Sequence, residues 1–85
     1  MAANVIIYTT KTCPYCVKAK MLLDKKGAKY SEIDASDSKI RENLIQKAGG
    51  MRTVPQIFIN NKHIGGCDNL YELDSKGELD KLLTA

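Results

Sequence analysis

Val5-Ile6-Ile7-Tyr8-Thr9-Thr10-Lys11-Thr12-Cys13-Pro14-Tyr15-Cys16 is the stretch on which the fold turns. Its opening, Val5 to Tyr8, is a short apolar run rich in β-branched residues and reads as a strand. Its close places two thiols three residues apart, immediately ahead of a segment, Val17 to Lys26, that reads as a helix. Pro14 suits the first helical position, because its φ is already helical and its missing N–H costs nothing there. Cys16, Ala19, Leu22 and Leu23 then fall on one apolar stripe, with Lys18, Lys25 and Lys26 outside it and Gly27 as the stop. A strand that delivers a Cys-x-x-Cys pair to a helix N-terminus is a redox geometry. The unpaired first-turn N–H groups and the positive dipole end favour a thiolate, and the second cysteine is near enough to close a disulfide. Cys13, at the cap, is the expected nucleophile, and Cys16, on the stripe, is expected to be less exposed. The spacing alone is less specific, since such a pair also supplies half of a zinc site.

Working outward, Lys29 to Asp34 alternates Tyr30 and Glu32 against Ser31 and Ile33 and predicts a strand. Ser38 to Ala48 predicts a helix with Ile40, Leu44, Ile45 and Ala48 inward, ended by Gly49-Gly50. Gln56 to Ile59 and Lys62 to Ile64 form a hairpin across Asn60-Asn61, a pair that tolerates positive φ. Two short helices follow, roughly Asn69 to Ser75 and Glu78 to Leu83, split at Gly77. The order β-α-β-α-β-β-α implies a parallel first pair and an antiparallel hairpin, hence an α/β protein with a mixed four-stranded sheet and helices on both faces. In such a βαβ setting the Cys-x-x-Cys pair reads as thioredoxin-like.

Eighty-five residues make one domain, 1–85, with no linker, repeat or low-complexity segment. No apolar run approaches the ~18 residues of a membrane span. Met1 to Asn4 carries no basic region, so no signal peptide is expected. Three cysteines at these spacings do not suggest a secreted disulfide scaffold, and a reducing cytoplasm fits better. The net charge of +3 hides an asymmetry. Residues 1–29 hold six lysines against Asp24 alone, whereas residues 30–85 hold seven basic and nine acidic side chains. The positive charge therefore surrounds the Cys-x-x-Cys helix. With so few cations, no nucleic-acid motif and no stacking platform, this argues for thiolate stabilisation and a small anionic substrate, not for a nucleic acid.

Two further motifs stand apart in sequence. At Thr53-Val54-Pro55 a proline opens the third strand; taken alone, it is a strand-opening residue with the common trans bond. Gly65-Gly66-Cys67-Asp68-Asn69 precedes a helix; taken alone, it is a loop with Asp68 or Asn69 as the cap. Beside the cysteine pair it becomes a candidate carboxylate site at a helix N-terminus.

At these separations Cys13-Pro14-Tyr15-Cys16, Thr53-Val54-Pro55 and Gly65-Gly66-Cys67-Asp68 closely resemble the dithiol glutaredoxins of the short bacterial type, from about Val5 to Leu83. The resemblance implies a thioredoxin fold and a glutathione-dependent thiol–disulfide oxidoreductase, with a reduction potential of roughly −200 to −230 mV. Glutathione would be a co-substrate, with no tightly bound cofactor and no metal. The clients would be disulfide-containing or glutathionylated proteins, met by a cytoplasmic monomer without nucleic-acid or membrane partners. Cys13 would attack the mixed disulfide and Cys16 would resolve a protein disulfide. Pro55 would be cis, leaving the Val54 backbone to pair with the cysteinyl part of glutathione, and Thr53 would frame the groove. Lys11 and Tyr15 would flank the tripeptide, with Lys11 on its glycine carboxylate and Gln46 reaching the same end. Gly66, Cys67, Asp68 and Asn69 would hold the γ-glutamyl end. One departure from the family pattern stands at Asn69, where an aspartate is usual: the backbone N–H still serves a carboxylate, but an amide attracts the glutamyl ammonium less.

Three other readings compete. Cys13, Cys16, His63 and Cys67 form a zinc-like set, although His63 lies within a strand that the hairpin needs. A glutathione-ligated iron–sulfur dimer would use Cys13 as the protein ligand, but family members with that role typically lack the proline found here at Pro14. A thioredoxin proper is opposed by Tyr15, by Gly65-Gly66-Cys67-Asp68 and by the absence of tryptophan.

Overall fold

In the computed structural model, which describes residues 3–50 and 53–84, the chain follows the expected order of elements. These are β1 (Val5–Thr9), α1 (Pro14–Lys25), β2 (Tyr30–Asp34), α2 (Ser38–Lys47), β3 (Gln56–Ile59), β4 (Lys62–Gly65), α3 (Cys67–Ser75) and α4 (Glu78–Leu83). The strands form one sheet in the order β2-β1-β3-β4. β1 and β2 are parallel, with Ile7 opposite Glu32, and the other two pairings are antiparallel. The thioredoxin fold is thereby present, with its mixed sheet and helices on both faces.

Alternation along β1 and β3 divides the core in two. Val5, Ile7, Ile57 and Ile59 face Ala19, Leu22 and Leu23 of α1, Cys67 and Leu70 of α3, and Leu79 of α4. Tyr8 and Phe58 point the other way, toward Ala35 and Leu44 on the α2 side, and meet edge to face at 5.7 Å. The first layer is the larger, and it holds α1 and α3 side by side over the sheet. That packing sets the N-termini of both helices at the same edge of the molecule.

Local chemistry explains the joints. Asn60 and Asn61 both adopt positive φ (51° and 67°), the conformation that matches a two-residue turn to the strand twist. Gly27 follows α1 at φ +70°, where a side chain would be strained. α3 begins two residues before the sequence reading placed it, with Gly66 and not Asp68 or Asn69 as its cap. The reason lies inside the helix: Asn69 turns its Oδ1 back to accept the Gly66 N–H at 3.2 Å, so a residue of the first turn does the capping. Among the described residues no helix is long and apolar enough to cross a membrane.

Candidate active site

Cys13 is the cap of α1 and is half-buried, and Cys16 is 1% exposed. The Cys16 N–H donates to Cys13 Sγ at 3.2 Å, so an orphan donor of the first turn is satisfied by sulfur. The Cys13 thiol also lies 3.5 Å from the Val54 carbonyl oxygen, to which it donates. Burial pushes the Cys16 thiol up to about 12 from an ordinary 9.0, and its hydrogen bond with Cys13 adds to this. A backbone hydrogen bond from Thr10 and the Lys20 charge act in the opposite direction. The pair is thus asymmetric: one accessible sulfur at the helix end, and one held as a thiol beneath it.

Two clefts meet at this sulfur. The first, about 400 Å³, is lined by Thr9, Thr10, Lys11, Cys13, Cys16, Val17, Lys20, Glu32 and Asp34. The second, about 280 Å³, begins at Val54 and is walled by Tyr15, Thr53, Pro55, Gly66, Cys67, Asp68 and Asn69. Every residue the sequence reading gave to the glutathione site lines the second cleft, except Lys11 and Gln46. Lys11 lies exposed in the first cleft, next to Cys13. Gln46 is exposed on α2 and lines neither.

The second cleft is closed by backbone. The Val54–Pro55 bond is cis, as the family resemblance implied and as the proline taken alone did not. A Cβ on Gly66 would stand 3.3 Å from the Pro55 carbonyl oxygen, so the start of α3 packs directly on this loop. Gly65, at φ +119°, has the Asn69 side chain folded over it; a Cβ there would meet Asn69 Oδ1 at 2.6 Å. Cys67 is buried, and burial, with the neighbouring Asp68 charge, raises its thiol. Tyr15, in contrast, is 57% exposed and lies under the Lys18 ammonium at 5.6 Å from the ring centre.

Two polar groupings escaped the sequence reading. In the first cleft, Glu32 accepts from Thr9 Oγ1 at 2.6 Å and from Lys20 Nζ at 3.0 Å. These bonds, Thr9 first, hold its carboxyl below the usual range, and the same contact raises Lys20. The signal was present: Lys20 stands four residues after Cys16, and Glu32 alternates onto the face that meets α1. Behind the second cleft, Gln56 is fully buried. Its Nε2 donates to the Thr53 carbonyl oxygen (2.9 Å) and to Thr53 Oγ1 (3.2 Å). Its Oε1 therefore accepts from His63 Nε2 at 2.7 Å, which fixes the proton on that nitrogen. A lone amide in a four-residue apolar strand was the available clue.

The zinc-like set does not come together. His63 is engaged by Gln56 and packed against Phe58, with ring centres 5.1 Å apart. Among the described residues no three His, Cys, Asp or Glu side chains are grouped to hold a metal ion.

Comparison with known proteins agrees with this geometry. Residues 5–64 match the family described as Glutaredoxin. The chain is 57% identical to Glutaredoxin 1 of Rickettsia prowazekii over 82 residues, which covers 94% of this chain and 86% of that protein. It is 52% identical to Glutaredoxin 3 of Escherichia coli K12 over 81 residues, which covers 95% and 98% respectively. The buckwheat glutaredoxin–glutathione complex superimposes with a TM-score of 0.87 at 38% identity, over 96% of this chain and 77% of that one. Taken with the paired thiols at the head of α1, these likenesses make the chain a member of the glutaredoxin family, the thiol–disulfide oxidoreductases.

Proposed function

We propose that the chain reduces glutathione mixed disulfides and protein disulfides, with glutathione as its co-substrate and Cys13 and Cys16 as its working pair. The observation that carries this reading is the second cleft. Three segments distant in sequence bring main-chain groups to one groove beside the Cys13 sulfur. At one end stand the first-turn N–H groups of α3, suited to a carboxylate. In the middle is the Val54 backbone, which can pair with an extended peptide as a strand edge would once the Cys13 thiol leaves its carbonyl. Lys11 stands on the other side of Cys13, where it meets the glycine carboxylate of the tripeptide. The relative seen with glutathione bound supports the same assignment.

The chemistry is two exchanges. The Cys13 thiolate attacks the glutathionyl sulfur of a mixed disulfide, and the client leaves as its thiolate. A second glutathione thiolate then attacks the Cys13-bound sulfur, releasing oxidised glutathione and restoring Cys13. With an intramolecular disulfide as substrate, the client stays joined to Cys13 until Cys16 displaces it. A pair that must cycle through its reduced form suits a cytoplasmic monomer, as the sequence suggested.

A glutathione-coupled assay on a small glutathionylated substrate, run beside a thioredoxin reductase assay, tests the reading. Turnover is expected in the first and not in the second. The reverse result would overturn it.

A further inference from the structure

The first cleft contains charges that glutathione binding does not require. Cys16 and Lys20 stand four residues apart on α1 and line the same cavity. That spacing puts their side chains on one face, a turn apart. Lys20 does not extend freely into solvent, because Glu32 on the neighbouring strand holds its Nζ at 3.0 Å and is itself fixed by the Thr9 hydroxyl. Partly exposed ion pairs of this kind contribute little to stability, which directs attention to what the arrangement does for its neighbour. The other charges around Cys16 are accounted for. α1 adds Cys13, β2 adds Asp34 beside the paired Glu32, and the loop after β1 adds Lys11, exposed at the cleft. α3 turns Cys67 and Asp68 into the second cleft.

We propose that Lys20, held over the first cleft by Glu32 and Thr9, is a positioning residue for the resolving step, its ammonium being the charge that lets Cys16 act as a thiolate once Cys13 is in a mixed disulfide. Burial is the largest influence that keeps Cys16 protonated, and while Cys13 is free its sulfur adds two more, their hydrogen bond and its own charge. Forming the mixed disulfide removes both influences. What then remains beside Cys16 is its burial, opposed by the Thr10 backbone bond and Lys20. The Cys16 proton passes to water in the cleft. Its thiolate attacks Cys13 Sγ, the Cys13–Cys16 bond forms, and the bond from Cys13 to the client breaks. The client sulfur leaves with the electron pair and takes up a proton from water. The inference rests on the dithiol cycle of the proposed function but not on glutathione, so its test omits glutathione.

The reduced full-length chain is mixed in a stopped-flow instrument with less than one equivalent of dipyridyl disulfide, an uncharged probe. A first release of pyridinethiol reports attack by Cys13, and a second reports resolution by Cys16. For Lys20→Gln the second phase is expected to slow about three- to tenfold near neutral pH, its pH midpoint moving up by as much as about one unit. The plateau at high pH stays level or rises slightly, since a thiolate of higher pKa is the better nucleophile. The first phase should hold within about twofold, and Lys20→Arg should keep the parent midpoint because it keeps the charge. An unmoved midpoint, a lowered plateau at the parent midpoint, or a Lys20→Arg variant as slow as Lys20→Gln would each overturn the proposal. A chain that resolves normally here yet fails the glutathione-coupled assay would count against the proposed function instead.

Discussion

The two clefts that meet at Cys13 are made in different ways. The first comes from one unbroken βαβ unit, and its working atoms belong to side chains: the Cys16 sulfur, the Lys20 ammonium and the Glu32 carboxylate. The second comes from three separate segments, and its working atoms belong largely to backbone: the Val54 carbonyl, the start of α3, and Gly66 packed on the Pro55 carbonyl. A side-chain cleft can be retuned one substitution at a time. A backbone cleft tolerates changes of residue type until one of them displaces the chain, and then it fails as a unit.

Cys13 lines the first cleft and touches the Val54 carbonyl of the second, so its loss should be the largest effect. Cys13→Ser is expected to reduce turnover to the uncatalysed background on a small glutathionylated substrate and on a protein disulfide alike, with the fold intact by circular dichroism. Cys16→Ser should divide the two activities. In the glutathione-coupled assay it is expected to match or exceed the parent, because the side reaction that oxidises the pair is gone. On a protein disulfide it should slow by about tenfold or more, at least 1.4 kcal/mol of barrier, and accumulate the mixed disulfide visible by mass. Loss of the first activity with retention of the second would reverse the roles given to the clefts.

Gly65→Ala strikes the backbone cleft by geometry alone. A methyl group at φ +119° must displace the Asn69 amide from over the loop, at a cost of about 1–3 kcal/mol. The KM for the glutathione substrate should rise while the Cys13 alkylation rate holds. Gly27→Ala is the control: its φ is also positive (+70°), but nothing lies within 4 Å of the new Cβ, so stability alone should fall. Lys11→Gln should give the smallest change, a rise in that KM of up to about fivefold. The difference should shrink as salt is added, since Lys11 is exposed.

The same contrast governs how much was legible in the sequence. The strand, the cysteine pair and the α1 stripe lie within one contiguous stretch with a clear period, and Cys16, Ala19, Leu22 and Leu23 are all buried as the spacing required. The Lys20–Glu32–Thr9 grouping was legible only in part: the faces of Lys20 and Glu32 follow from spacing and alternation, but their meeting with Thr9 depends on the register of β2 against β1, which no local pattern states. Tyr15, Thr53-Val54-Pro55 and Gly66 to Asn69 came together as a groove only through the family resemblance; nothing in any one segment points to the others. Pro55 shows why. Its surroundings set the isomer of its peptide bond, so the dipeptide read alone gave the commoner answer. The α3 cap was misplaced for a related reason. Asn69 is a good cap residue by type, yet here it works from within the first turn.

Gln56 has a consequence for how the molecule comes apart. Its amide joins the Thr53 backbone on one side to His63 on β4 on the other, and it is fully buried while doing so. Leaving such a group unpaired costs about 1–3 kcal/mol, so the loop cannot swing out while the hairpin stays folded without that loss. The wall of the second cleft and the β3–β4 hairpin therefore belong to one cooperative opening unit. Warmth or denaturant that frays the sheet at β4 is therefore expected to loosen the surface against which Cys13 rests as well.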